Sequence, residues 1–374
     1  MGMKNLEVVK RVLRQYYTKH GLPEIEQLER REIAIGEKSD KPVQRHLSFA
    51  RHEDFLEFLQ QKVPLSVHHS LAYYEAPWAP STENKRLLSA DLVLELDPDL
   101  QFESFAELLG YLKERALALV EVLESELGIK KYELWFSGNK GLHVYIKDKE
   151  YQELDPAGRL QVYFLFSLKN IQEENFLRTV EEKLLYLQTN PKIIFSAPEL
   201  RFLKQLLRYL IKNFENLELI NKWLAQEKLD KEAGKYRLQK MEKELYRNYL
   251  VVCRKIRTAW LRELGKEVLR AARFPLDRQV IVDRTHLVRY PGSLNVKGGF
   301  IKCRIEKHKI EEFNPFEEAV PVKDGKVLVE VKDKEKWKYY GISAAKNYVF
   351  LEANEAFVLI CTGGAQYVRG ELHV

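Results

Sequence analysis

Three cysteines, Cys253, Cys303 and Cys361, are all that 374 residues contain. A set so scattered gives neither a disulfide framework nor a clustered zinc site. Methionine is as scarce, and with many Lys, Glu and Arg this balance leans toward a thermophile. No apolar run approaches the roughly 20 residues of a membrane span. The first residues, MGMKNLEVVKR, carry no apolar stretch of signal-peptide kind. Low-complexity tracts and short repeats are missing too. The expectation is a cytoplasmic protein with no membrane role, long enough for one large domain with a sub-domain, or for two domains.

Neither sign of charge dominates: the net charge is +6. Its distribution says more. Residues 222–273 hold fifteen Lys/Arg against seven Asp/Glu, with Trp223, Tyr236, Tyr246, Tyr249 and Trp260 among them. Cations interleaved with aromatics suit a nucleic-acid backbone. A salt-bridged, solvated helical face fits the same residues.

Apolar spacing predicts a helix over residues 5–20, ended by Gly21 and Pro23. Short strands are expected at 31–35 and 44–49, a helix at 52–61, and a loop through Tyr73, Tyr74 and Trp78. Ser104 with Glu107 makes a capping box for a helix that Gly128 closes. Strands follow at 132–136 and 142–146. Residues 155 to 273 read as almost wholly helical, and strands resume at 279–283 and continue to about 362. This pattern gives an α/β (α+β) mixed-sheet core in two parts, 1–154 and 276–374, with an inserted helical sub-domain over 155–275.

The richest stretch is Asp-Leu-Val-Leu-Glu-Leu-Asp at 91–97. Along a strand, Leu92, Leu94 and Leu96 point one way, and Asp91, Val93, Glu95 and Asp97 the other. Glu95 and Asp97 then stand one pleat repeat apart and repel each other unless a cation lies between them. Hard oxygen ligands at that spacing suit Mg²⁺ or Mn²⁺ with bound phosphates. Alone, the stretch reads equally well as a strand leaving the core into an acidic turn.

Two further elements weigh in. Residues 136–146, FSGNKGLHVYI, make a strand–turn–strand. Gly138 and Gly141 offer N–H groups to an anion there, and Ser137, Lys140 and His143 add a hydroxyl, an amine and an imidazole. In 280–299, VIVDRTHLVRYPGSLNVKGG, Asp283 supplies a third carboxylate, while Arg289, Ser293, Asn295 and Lys297 crowd a Pro-Gly turn. Each element alone fits an ordinary hairpin or surface turn. Together they form a nucleotidyl-transfer set, in which cations neutralise charge moving towards a leaving pyrophosphate.

In order and spacing these elements resemble the small catalytic subunit of archaeal–eukaryotic DNA primase. The resemblance extends to Arg31–Ile35, Arg45–Phe49, Tyr73-Tyr74-Glu75, His286–Leu294, Phe313–Pro321 and Val358–Cys361, the last two matching the family's C-terminal strands. It implies that Glu95, Asp97 and Asp283 hold two metal ions, Mg²⁺ or Mn²⁺. It implies that Ser137, Lys140, His143, Arg289, Asn295 and Lys297 cradle a triphosphate, and that Glu32 and Arg45 order the initiating nucleotides. The implied activity is synthesis of short RNA primers from nucleoside triphosphates on single-stranded DNA, with a primase large subunit as partner. A stand-alone primase-polymerase uses the same chemistry, and a non-catalytic nucleic-acid-binding subunit is the reading from another class.

The chain departs from the family pattern in four places. Glu95 replaces the first Asp of an Asp-x-Asp pair, and Asn295 replaces a His. Asn139-Lys140 fills a turn usually rich in Arg, trading forked phosphate binding for a point charge. Asp99 runs almost directly into the Ser104-capped helix with no cysteine between, so no structural zinc knuckle is expected.

Overall fold

The computed structural model describes residues 2–37, 41–190 and 192–374. Its contacts group the chain into two compact units, Met1–Ala118 with Lys131–Leu160 and Pro275–Val374, and Leu119–Lys130 with Gln161–Phe274. The segment at 119–130 is one that sequence boundaries of 155 and 275 leave out. It contains the end of the helix Phe105–Glu126, and an unbroken helix carries no composition signal where it leaves one unit for another.

Among the described residues, the first unit holds fifteen short strands. They are β1 (Ile33–Gly36), β2 (Gln44–Leu47), β3 (Ser66–Ser70), β4 (Ala72–Tyr74), β5 (Leu87–Ala90), β6 (Leu92–Leu96), β7 (Tyr132–Phe136) and β8 (Leu142–Ile146), then β9 (Leu287–Arg289), β10 (Leu294–Asn295), β11 (Phe300–Ile301), β12 (Cys303–Ile305), β13 (Lys326–Val331), β14 (Tyr348–Glu352) and β15 (Ala365–Gly370). Two antiparallel four-stranded sheets position the site, in the orders β2-β1-β3-β9 and β12-β7-β8-β6. The remaining strands form β14-β13-β15 and the pairs β10-β11 and β4-β5.

Strand β6 buries Leu92, Leu94 and Leu96 completely, as alternation requires. Val93, on the opposite face, is covered as well, by Leu71, Tyr145, Val280 and Val288. That cover explains one correction. Residues 279–283 are not a strand: Arg278–Val282 is a short helix whose N-cap Asp277 accepts hydrogen bonds from the N–H groups of Gln279 and Val280. A three-residue apolar run, Val280–Val282, cannot separate strand from helix by periodicity. Asp283 therefore ends a helix, not a strand.

Other segments differ likewise. Tyr73 and Tyr74 lie in β4, paired with β5, and not in a loop. Phe313–Pro321 contains the helical turn Pro315–Glu318, capped by Asn314, and Val358–Cys361 lies inside the helix Ala353–Thr362, closed by Gly363 at φ 78°. Neither is a C-terminal strand. The helix after Ser104 begins as its capping residues dictate: Glu107 N–H donates to Ser104 Oγ at 3.2 Å, and the Glu107 carboxylate accepts from Glu103 N–H.

In the second unit the two tryptophans of the basic stretch are core, Tyr246 and Tyr249 are half-buried, and Tyr236 is exposed. Trp223 and Trp260 are buried and meet edge to face, with ring centroids 5.6 Å apart. Tyr246 donates to Glu126 at 2.7 Å. Around them Arg237 and Arg257 pair with Glu227, Arg262 with Glu181 and Lys231 with Glu215. The salt-bridged helical face is the better description of residues 222–273. No helix among the described residues is long and apolar enough to cross a membrane.

Candidate active site

The end of β6 builds the acidic half of the site. Pairing with β8 sets Glu95 directly opposite His143, and the ladder runs on from His143 to Trp135 in β7. His143 Nε2 lies 3.2 Å from Glu95 Oε1. Burial favours a neutral Glu95, but His143, joined by His286 and Lys302, outweighs it and leaves the carboxyl below its ordinary range. Asp97, just past the strand and exposed, is shifted the other way, first by burial and next by Glu95. Asp97 N–H donates to Pro275 O and Asp277 N–H to Glu95 O, so residues 275–277 lace the strand end in place.

The turn after β7 supplies the second half. Ser137 Oγ accepts from Gly141 N–H at 3.1 Å, and Ser137 N–H donates to Gly141 O, which closes the turn. Gly138 has φ +82°, and a Cβ there would lie 2.7 Å from Phe300 O. A Cβ on Gly298 would lie 2.1 Å from Gly138 O. The turns at 137–141 and 295–299 thus interlock through two residues with no side chain. Asn295 Nδ2 donates to Ser137 O at 3.3 Å across the same contact.

Strand β9 brings in Arg289, which stands opposite His68 of β3. Its Nη1 donates to Leu294 O, and its own carbonyl accepts from buried Lys302 Nζ at 2.9 Å. These elements enclose a cleft of about 210 Å³ lined by Glu95, Asp97, Ser137, Lys140, His143, Arg289 and Asn295, together with His68 and His286.

Four expected residues do not line this cleft. Asp283 accepts from Thr285 N–H at 2.9 Å and Thr285 Oγ1 at 2.7 Å, and lies 3.8 Å from His286, which does line it. His286 first of all, with help from Thr285, brings the Asp283 carboxyl down to about 2. Lys297 is exposed. Glu32 and Arg45 bind each other at 3.0 Å, and Glu32 also takes buried Lys85 in a short ion pair. That is a separate cluster.

Two histidines were missed. His68 is buried, and among the described residues its Nδ1 meets no hydrogen-bond partner. Burial, then Arg289, holds its pKa down to about 3, so its imidazole is neutral. The adjacent pair His68-His69, between Leu65-Ser66-Val67 and Ser70-Leu71-Ala72, was the available signal. His286 was read only as part of a motif.

Glu95 and Asp97 suit a divalent cation by donor chemistry. They are hard oxygen donors, and the Asp97 carboxyl is raised first by burial and next by Glu95, a repulsion that a bound cation would relieve. Among the described residues, no group of three His, Cys, Asp or Glu already stands in metal-holding geometry.

Residues 107–306 match the family described as "DNA primase small subunit". The chain is 29% identical over 373 residues to the DNA primase small subunit PriS of Archaeoglobus fulgidus, covering 96% of this chain and 98% of that protein. It is 26% identical over 344 residues to PriS of Methanospirillum hungatei, covering 89% and 88%, and 23% identical over 394 residues to PriS of Methanococcoides burtonii, covering 98% and 100%. The family match spans more than half of the sequence and takes in most of the cleft, and the chain belongs to the DNA primase small subunit family.

Proposed function

We propose that this DNA-directed primase catalytic subunit makes RNA primers in the cleft between β6, the 137–141 turn and β9. What carries the reading is that Glu95, Asp97, Ser137, Lys140, His143, Arg289 and Asn295, drawn from three distant stretches of sequence, line one cleft. Two carboxylates beside a lysine, an arginine and a turn of backbone N–H groups suit a nucleoside triphosphate and little else.

In the reaction, the 3′-hydroxyl oxygen of one nucleotide attacks the α-phosphorus of the next. The bond from that phosphorus to its bridging oxygen breaks, and pyrophosphate leaves. Lys140 and Arg289 neutralise the charge that builds on the leaving oxygens. Ser137 Oγ accepts from the N–H groups of Asn139 and Gly141 and so holds the turn closed beside the phosphates. His143 keeps Glu95 ionised and aimed. Glu95 and Asp97 would hold the divalent cations, Mg²⁺ or Mn²⁺, with Asp283 as a third carboxylate reached past His286. Such cations supply a hydroxyl of lowered pKa and charge balance at the pyrophosphate. A single-stranded DNA template and a primase large subunit complete the proposed assembly.

The test is primer synthesis on unprimed single-stranded DNA with four ribonucleoside triphosphates and Mg²⁺ or Mn²⁺, comparing wild type with Asp97→Ala. Product from the wild type alone supports the assignment. Equal product from both overturns it. If neither makes product, addition of the large subunit decides between a dependent subunit and an inactive one.

A further inference from the structure

A second, larger cavity of about 450 Å³ opens on the same sheet, and it shares no lining residue with the cleft. Tyr145 follows His143 by two residues along β8 and so points to the same face. Trp135 stands opposite His143 on β7. The two rings meet edge to face, with centroids 6.4 Å apart, and form one wall. Ile25 and Pro291 face it from other loops. At the base is Lys302, 1% exposed, whose Nζ donates to Tyr145 Oη at 2.6 Å and to Arg289 O at 2.9 Å. Those bonds use two of the three donors of an ammonium.

The chemistry of the lining narrows the ligand. The volume lies in the usual range for small-molecule sites, roughly 300–1,000 Å³. Four lining carboxylates stand against three cations. Phosphate is therefore disfavoured inside. Flat aromatic walls, an N–H donor at the base and carboxylate acceptors towards the mouth suit a planar, uncharged heterocycle with both amino and ring-nitrogen or carbonyl groups.

We infer that this cavity binds a nucleobase, with its ring against Trp135 and Tyr145, an acceptor atom at Lys302 Nζ, and any sugar and phosphate outside. The base comes either from a free nucleoside or nucleotide or from an unpaired position in a nucleic-acid strand. Neither source changes the chemistry of the site.

Adenosine, cytidine, guanosine and uridine, which have no phosphate for the cleft to hold, are the probes. Each is titrated by calorimetry and ligand-observed NMR into wild type, Asp97→Ala, Ile25→Trp and Trp135→Ala, with thermal melts to show which variants are folded. Ile25→Trp fills the cavity and Trp135→Ala removes its wall, so either suffices if the other misfolds. Saturable binding by at least one nucleoside to wild type and Asp97→Ala alike, weakened tenfold or more by a folded cavity variant, supports the site. A short oligodeoxynucleotide and an abasic strand of equal length identify the source. If only the base-bearing strand is weakened by the cavity variants, the base comes from a strand. Binding of every probe left intact by both cavity variants overturns the inference, as does absence of any base-dependent binding. Nucleoside binding lost in Asp97→Ala alone also overturns it, while leaving the catalytic cleft as assigned.

Discussion

Across the β6–β8 ladder, His143 stands directly opposite Glu95, its Nε2 3.2 Å from the carboxylate. The imidazole both orients the acid and keeps it ionised against burial. Partners of this kind are worth about 10- to 100-fold in metal affinity or activity. His143→Ala should lower primer synthesis by about that factor and raise the Mn²⁺ concentration giving half-maximal rate. A Mn²⁺ titration of product formation measures both, and an unchanged titration curve would remove His143 from this role.

Glu95 stands where the family pattern carries Asp. Restoring the shorter acid by Glu95→Asp withdraws the carboxylate by one methylene from His143. Mg²⁺ demands near-ideal octahedral geometry. The Mg²⁺-supported rate should therefore fall further than the Mn²⁺-supported one, which parallel assays with the two metals would show.

Removing the Glu32 side chain leaves the ammonium of Lys85 buried and uncompensated. Breaking a buried pair from one side costs about 3–5 kcal/mol. Glu32→Ala should melt well below wild type. The pH dependence follows from the same pair: burial raises the Glu32 carboxyl, but Lys85 and Arg45 together bring it below its ordinary range. A depressed carboxyl adds stability that is complete above its unfolded-state value and is lost as pH falls through its folded one. Below about pH 5, wild type should lose melting temperature faster than Glu32→Gln does.

At Gly138, with φ +82° and Phe300 O where a Cβ would go, alanine is both strained and blocked. Substitutions at such positions cost more than about 1 kcal/mol. Gly138→Ala should lower stability and raise KM for nucleoside triphosphate together, because the turn cannot close against Asn295. Thermal melts and steady-state kinetics test the pair of effects.

The acidic strand, the glycine turn and both flanking strands were legible because β-alternation and glycine spacing are local properties of sequence. Strands at 132–136 and 142–146 were placed to the residue. The helix at 278–282 was not, since what decides it is Val280 packing over Val93, a contact about 190 residues apart in sequence. The same limit hid His68, whose place beside Arg289 depends on β3 pairing with β9. It also inverted the meaning of Trp223 and Trp260: sequence shows that aromatics lie among cations, and only packing shows that they face inward.

The rungs Glu95–His143–Trp135 and Leu94–Val144–Leu134 alternate along one ladder, so adjacent residues of the same strands serve chemistry and core in turn. A slip of one position would bury the acids and expose the leucines at once. Competence is consequently gained in one stroke with collapse. During refolding, affinity for nucleotide should emerge no earlier than protection of the Leu94 and Val144 amides from hydrogen exchange.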